Sequence, residues 1–223
     1  MRAQVPWGKH TPVRLRGINH AISGGDIPHE NVFPVLVIKD PYTWMQSMCR
    51  HEYSADWYHP STHCPNLVPV EAQEKYRLRK EGKQNSSIPV DVSYSKRNVV
   101  NYDSLVDLWN TWYGDWMNST FPFMAIRFED LLFRPQEVIE KMCHCVTGEM
   151  VHDKKTGDGK GFQFMSESAK QGQAHKGSNG LLVALTRYGN KDLRKAKFLE
   201  EDIEYARNNL NSKLMEMFQY KTL

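Results

Sequence analysis

The 223-residue chain lacks several features that would each point to a particular class of protein. No G-x-x-x-x-G-K-[ST] motif occurs in it, which disfavours a P-loop-type kinase. No apolar stretch has transmembrane length and no signal peptide is recognisable, so a membrane anchor is expected only in a segment before the first residue. The net charge of +3 is too small to indicate nucleic acid as a partner.

What the chain does contain is typical of one globular domain. Hydrophobic residues make up 40% of the sequence and charged residues 25%, which are ordinary values. A chain of this length can bury a substantial core. We therefore predict a single domain over residues 1–223.

Residues 33–47 are the most informative stretch, because a strand pattern runs directly into a helix start. The apolar, β-branched run Phe33–Ile38 is typical of a fully covered strand in a parallel sheet. Asp40 then occupies the position of an N-cap and Pro41 the first helical position. Together they predict a helix from about Tyr42 through Met48.

This junction has the chemistry of an anion site. Amides at a helix N-terminus carry partial positive charge, and Lys39 adds a full charge at the end of the strand. Ser47 follows eight residues after Lys39, where its hydroxyl could reach the same anion. An ordinary strand-to-helix turn of an α/β protein is the alternative interpretation.

This segment resembles one in the sulfotransferases that use 3′-phosphoadenosine 5′-phosphosulfate (PAPS). The shared features are a strand that ends in a basic residue, an acidic-Pro-aromatic turn and a Ser eight positions after the basic residue. In that family the segment binds the 3′-phosphate, so the resemblance implies this role for Lys39 and Ser47. It also implies that the desulfated nucleotide PAP is the product and that no metal is required. The family usually has Arg at the position of Lys39. Arg binds phosphate through two parallel N–H hydrogen bonds, whereas the Lys ammonium acts as a point charge.

A second segment, Phe123–Val138, is similar to the family's apolar strand, aromatic-Glu-Asp-Leu turn and Pro-led helix. The resemblance places Phe128 near the nucleotide, where a ring without a hydroxyl can only pack or stack. Taken by themselves, Glu129 and Asp130 are typical of a solvated turn.

The segment Val5–Pro12 reads as a short strand running into a loop and resembles the family's Lys-Thr-His-x-Pro segment. Aligning the prolines places His10 at the catalytic histidine. Sulfuryl transfer needs a base for the acceptor hydroxyl, which His10 could supply, and positive charge on the departing phosphate oxygen, which Lys9 could supply. The family's lysine aligns with Gly8, so Lys9 is offset by one. An exposed or structural histidine is the alternative.

One part of the family pattern does not occur in the chain. Sulfotransferases begin with a strand and a Gly-rich, Lys-Ser/Thr-containing loop for the 5′-phosphosulfate, and only a few residues precede Val5. The nearest look-alike, residues 155–161 (KTGDGKG), is followed by Phe162 and predicts a loop. The expected fold is therefore an N-terminally incomplete α/β domain of P-loop NTPase-like architecture, with a mostly parallel sheet flanked by helices. A degenerate relative is the alternative.

A basic, Gly-rich segment, Lys170–Gly180, lies in the interval where the family has an Arg-Lys-Gly loop over the 3′-phosphate. Through this resemblance Lys176 and Gly177 become candidate phosphate ligands. A surface loop explains the same residues.

Three longer helices are predicted from composition and periodicity. Residues 102–116 place Leu105, Leu108, Trp109, Trp112, Tyr113 and Trp116 on one face, and residues 198–220 repeat Ile203, Ala206, Leu210, Leu214 and Met217 at helical spacing. The charged run 71–83 reads as an exposed helix. This helix and the loop that follows it at Asn85–Ser87 form a segment where acceptor specificity would plausibly reside, and a merely solvated helix is the alternative.

The cysteines and two glycosylation sequons bear on the compartment. Asn85 and Asn118 each begin an N-x-[ST] tripeptide, which would suit a lumenal glycoprotein. Cys49 and Cys64 could form a disulfide in an oxidising lumen. One alternative is zinc binding by Cys49, His63, Cys64 and Cys143-His144-Cys145, although their spacings fit no familiar zinc finger. The other alternative is that the cysteines are free, buried thiols.

We therefore expect a PAPS-dependent sulfotransferase that acts on a hydroxyl of a small molecule or carbohydrate, with the Golgi lumen as the expected location and the cytoplasm as the alternative. A non-catalytic nucleotide-binding or interaction module derived from such a domain is the competing hypothesis.

Overall fold

The computed structural model of the chain describes Gly8, Lys75 and residues 10–16, 32–70, 86–95, 97–145 and 181–223. Contacts between residues group into two compact units. The first comprises Met1–Leu36, Pro41–Met124 and Lys195–Leu223, and the second comprises Val37–Asp40 and Ala125–Arg194. The single domain expected over 1–223 stays a prediction.

The described strands and helices follow one another in a mixed α/β order. In chain order they are β1 (Val35–Ile38), α1 (Pro41–Arg50), β2 (Ala55–Trp57), β3 (Val90–Ser95), β4 (Asn98–Tyr102), α2 (Leu105–Met117), β5 (Met124–Arg127), α3 (Phe128–Phe133), α4 (Pro135–Cys145), α5 (Leu181–Gly189), α6 (Lys191–Arg194), α7 (Glu200–Asn209) and α8 (Ser212–Met217). A short 3-10 helix, Val13–Leu15, precedes β1.

The strand predicted before Lys39 forms β1, which pairs with β5 in a two-stranded parallel sheet. This confirms the mixed α/β class. Leu36 and Ile38 are buried, whereas Val35 and Val37 are each 41% exposed. The prediction of a strand covered on both faces is therefore wrong, because alternate side chains of β1 point away from the core.

The second sheet is antiparallel and has the order β2-β3-β4. Ala55 pairs with Val92, and Val90 pairs with Tyr102. The register between β3 and β4 shifts near Ser93 and Ser95. Parallel pairing is thus limited, in the described part of the chain, to β1 and β5, and the expectation of a mostly parallel sheet does not extend to β2–β4.

The Trp-bearing helix predicted over 102–116 is α2. Its N-cap is Ser104, whose hydroxyl accepts the Asp107 N–H, so the helix begins at Leu105. The predicted face forms the core of the first unit, and Trp109 is fully buried. Trp112 is only half-buried, because its indole N–H reaches the exposed segment at His10.

The C-terminal helix predicted as one element over 198–220 is two helices, α7 and α8. Leu210 has an extended backbone, and the Asn211 side chain accepts the Leu214 N–H to cap the second helix. This break changes the helical phase, so Met215 is buried and Met217 is 59% exposed. The helical spacing predicts burial of Met217, and this prediction is wrong.

Cys49 and Cys64 form a disulfide with a Cα–Cα separation of 5.9 Å, which removes both sulfurs from any zinc site. His63 lies beside it and its Nε2 is 2.6 Å from the Asp202 carboxylate. Asp202 also accepts the Leu67 N–H, so this buried carboxylate fixes the cross-linked loop to α7.

The second cysteine pair, Cys143 and Cys145, lies on α4. Cys143 and Cys145 are thiols, and Cys145 is exposed rather than buried. Among the residues that the structure describes, no three His, Cys, Asp or Glu side chains are grouped as a metal site.

Several predicted features lie outside the described residues. They are Lys9, residues 71–83 apart from Lys75, Asn85, residues 155–161, and Lys176 and Gly177 with the rest of their loop. Within the described ranges, every helix is too short or too polar to cross a bilayer.

Candidate functional site

The strand-to-helix junction forms much as its sequence predicts. β1 ends at Ile38, and α1 begins with Pro41, whose fixed φ favours the first helical position. The sequence indicates a helix from Tyr42 to Met48. The observed helix starts one residue earlier, at Pro41, and ends two residues later, at Arg50. Lys39 and Asp40 are thus the two residues of the turn itself.

Lys39 is held by two aromatic residues in the second unit. Its ammonium donates a hydrogen bond to the Tyr188 hydroxyl at 2.8 Å and lies 4.3 Å from the Tyr188 ring centroid. It also lies 4.9 Å from the centroid of Phe128. The two rings meet edge to face, with centroids 4.9 Å apart. Cation–π attraction and the hydrogen bond therefore fix a half-buried positive charge at the end of β1.

Asp40 is paired with Arg194 of α6. One carboxylate oxygen accepts from Nε at 3.0 Å and from Nη2 at 2.6 Å, and Asp40 is only 6% exposed. A buried carboxylate needs such a charged partner. The guanidinium therefore compensates the negative charge that neighbours Lys39.

Glu129 occupies the anion position that the junction offers. Its Oε1 accepts the backbone N–H of Asp40 at 3.0 Å. Asp130 is also engaged, with Arg134 at 2.7 Å and Arg127 at 3.7 Å. The prediction of a merely solvated Glu-Asp turn is therefore wrong, since both carboxylates make specific contacts.

The formal charges of four side chains at the turn cancel. Lys39 and Arg194 contribute two positive charges, and Asp40 and Glu129 contribute two negative ones. Binding of a phosphate at Lys39 would consequently depend on direct contact with the ammonium and not on a strong field from these four groups.

Ser47 lies in the first unit, on α1, and is half-buried. Its hydroxyl donates to the Thr43 carbonyl at 2.8 Å and accepts from Nη2 of Arg50 at 3.0 Å. The guanidinium of Arg50 therefore lies beside Ser47, the predicted phosphate ligand. Arg50 itself is exposed at the last residue of the helix.

His10 is exposed and belongs to an aromatic cluster in the first unit. The centroid of its ring lies 4.5 Å from that of Tyr53, which in turn lies 4.4 Å from that of His51. The carbonyl of His10 accepts the Trp112 indole N–H at 3.3 Å. The N–H of His51 donates to the Ser47 carbonyl at 3.0 Å, so a short series of contacts leads from the candidate base to α1.

Tyr53 has a left-handed backbone, with φ of 57°, and is 48% exposed. A non-glycine residue in this region is uncommon and indicates a tight turn. The turn directs the phenol ring between the two imidazoles. His51 was given no role by its sequence context, and the structure places it next to the ring that contacts His10.

Several residues of these clusters escaped sequence reasoning, including Tyr53 and His51. Tyr188 and Arg194 contact Lys39 and Asp40 across 149 and 154 positions, and no local pattern signals such pairings. Arg50 could have been found, because residues three apart on a helix share a face.

Comparison of the chain with models of known families, with curated proteins and with solved structures found no match. The proposals that follow are therefore supported by the contacts of this chain and by the resemblance in its motifs.

Proposed function

We propose that the chain is a sulfotransferase-type domain that binds PAPS and transfers its sulfuryl group to an acceptor hydroxyl. Lys39 and Ser47 bind the 3′-phosphate, and His10 is the base. The observation that carries the proposal is the 4.9 Å approach of the Lys39 ammonium to the Phe128 ring. The motif resemblance assigns both residues to the nucleotide, from segments far apart in the sequence.

The contacts of Lys39 suit a phosphate ligand. A lysine ammonium has three donor positions, and the Tyr188 hydroxyl orients the group by accepting from one of them. Phe128 presents an apolar surface beside the charge, which would support stacking or packing of a nucleoside. Compensation of Asp40 by Arg194 limits electrostatic repulsion of an incoming phosphate.

The chemistry follows from the residue types at His10. The imidazole takes the proton of the acceptor hydroxyl while the hydroxyl oxygen attacks sulfur. A new sulfur–oxygen bond forms as the bond from sulfur to the 5′-phosphate oxygen breaks, and PAP leaves. In this proposal Lys9 stabilises the departing oxygen, and Lys176 and Gly177 are further ligands of the 3′-phosphate.

The acceptor is proposed to be a carbohydrate or small-molecule hydroxyl in the Golgi lumen. The Cys49–Cys64 disulfide supports an oxidising compartment. A protein retained in the cytoplasm would be expected to keep both thiols reduced, so thiol labelling of the protein from its own cells tests this location.

Nucleotide binding is tested by titrating the purified chain with 3′,5′-ADP and following the thermal midpoint. Binding to the folded state raises the midpoint. Lys39→Ala and Ser47→Ala together should abolish the rise, whereas Lys39→Arg should retain it because the guanidinium can hold phosphate bidentately. Lys213→Ala, an exposed lysine of α8, is the matched control and should behave as the parent chain. A folded parent chain whose midpoint does not move would contradict the proposal.

Catalysis is a separate question from binding. Sulfate transfer from labelled PAPS should be lost in His10→Ala and unaffected in the control His144→Ala. The second candidate is a non-catalytic nucleotide-binding or interaction module derived from such a domain, because this sequence shows no Gly-rich, Lys-Ser/Thr-containing loop for the 5′-phosphosulfate. Binding of 3′,5′-ADP without any sulfate transfer would support that second candidate.

A further inference from the structure

The turn that follows α2 contains a glycosylation sequon in an accessible arrangement. Asn118 is the C-cap of α2, with φ of −89° and ψ of 0°, and is exposed. Its backbone N–H donates to the Gly114 carbonyl, and the Ser119 N–H donates to the Trp116 carbonyl, so both bonds close the helix. Within the part of the chain that the structure describes, its carboxamide makes no hydrogen bond. The side chain therefore extends from a fixed backbone into solvent.

The two residues after Asn118 face different ways. Ser119 is partly buried, and its hydroxyl oxygen is inaccessible to solvent. Thr120 is exposed. The amide at the first position and the hydroxyl at the third, which define the sequon, thus lie on the accessible side of the turn. A bulky hydrophilic glycan on Asn118 would displace no part of the core.

The disulfide supplies an independent observation. Cys49 and Cys64 are bonded to each other, and such bonds form and persist in oxidising compartments. Asparagine-linked glycans are added on entry to the same secretory compartments. The two observations share no residue, and a chain that passes through those compartments could acquire both the disulfide and the glycan.

The second sequon is less suitable. Asn85 lies outside the described residues, and the serine at its third position, Ser87, is only 4% exposed. A buried hydroxyl at this position packs into the folded protein, so a glycan nearby has less open space. The structure therefore distinguishes two tripeptides that the sequence alone treats alike.

We propose that Asn118 is an N-glycosylation site of this protein. In the reaction, the carboxamide nitrogen loses a proton and forms a bond to the first sugar of an oligosaccharide carried on a lipid pyrophosphate, which departs as the leaving group. The proposal is independent of nucleotide binding, since it concerns a different residue, the exposed C-cap of α2.

The test is secretion of the full chain from eukaryotic cells behind a cleavable signal peptide. Treatment with peptide N-glycosidase should increase gel mobility and convert Asn118 to aspartate, which peptide mass spectrometry detects. Asn118→Gln and Thr120→Ala should each remove the glycan at this site, while the conservative variant Thr120→Ser should keep it. Asn85→Gln should leave it unchanged.

Formation of the Cys49–Cys64 disulfide in the secreted chain verifies passage through the oxidising compartment. A disulfide-bonded chain with an unmodified Asn118 would overturn the proposal, as would a glycan confined to Asn85. Should Asn118→Gln fail to be secreted, Thr120→Ala and Thr120→Ser give the same comparison without changing the asparagine.

Discussion

The hydroxyl of Tyr188 accepts a hydrogen bond from the Lys39 ammonium at 2.8 Å, across 149 positions of the sequence. The same ring lies beneath the ammonium, 4.3 Å from centroid to nitrogen. Tyr188 therefore both orients Lys39 and attracts its charge. Two contacts of this residue thus help to fix the position of the positive charge at the end of β1.

Replacing Tyr188 separates these two contributions. Tyr188→Phe removes the hydrogen bond and keeps the ring, so we expect the free energy of unfolding to fall by about 1 kcal/mol. Tyr188→Leu removes both contributions and should cost more. Chemical denaturation measures the change, with Lys39→Met as the reciprocal variant. If Tyr188→Phe is as damaging in the Lys39→Met background as in the parent, the two residues are not coupled.

The Asp40–Arg194 pair should contribute strongly to stability because its carboxylate is buried. Arg194→Met leaves that charge without its guanidinium and should cost about 3 kcal/mol. The double variant Asp40→Asn with Arg194→Met should lose less than the sum of the single losses. Additive losses in denaturation experiments would contradict this coupling.

The matched control for that cycle is the pair Arg134 and Asp130, which also joins a guanidinium to a carboxylate but is much more exposed. Solvent screens such pairs, so Arg134→Ala should leave the denaturation midpoint almost unchanged.

Arg50 should strengthen phosphate binding through Ser47. If Ser47 contacts the 3′-phosphate, the guanidinium 3.0 Å from its hydroxyl adds a charge-assisted hydrogen bond. Arg50→Ala should then weaken binding of 3′,5′-ADP by about tenfold and leave binding of 5′-AMP unchanged. Calorimetric titration of both nucleotides measures the difference.

Arg97→Ala, an exposed arginine of the β3–β4 turn, is the control for charge alone. Equal losses for 3′,5′-ADP and 5′-AMP in Arg50→Ala would assign Arg50 a general role rather than one at the 3′-phosphate.

The disulfide should stabilise the first unit by restricting its unfolded state. Cys49 and Cys64 are 15 positions apart, a loop for which closure entropy predicts about 3 kcal/mol. The variant with Cys49→Ser and Cys64→Ser should lose this amount, and reductant should then have no further effect on it. Cys145→Ser, which changes an exposed thiol, should unfold like the parent. A parent chain equally stable with and without reductant would contradict the prediction.

Local patterns accounted for the elements around the candidate site. The apolar run before Lys39 predicted β1, and Pro41 predicted the start of α1, because strand composition and a fixed proline φ act over a few residues. Helical periodicity predicted α2 in the same way. It failed at the C-terminus, where Leu210 adopts an extended backbone and starts a new helical phase.

The sequence by itself determined that a cation and a hydroxyl follow a strand, and that two cysteines lie close enough along the chain to pair. Only the tertiary structure decided what surrounds them. Glu129 accepts a hydrogen bond from the backbone N–H of Asp40, and Tyr188 accepts one from the Lys39 ammonium. Arg194 donates to the carboxylate of Asp40. These partners are between 89 and 154 positions away, and a contact at such separation is set by how elements pack, which no short pattern of residues encodes.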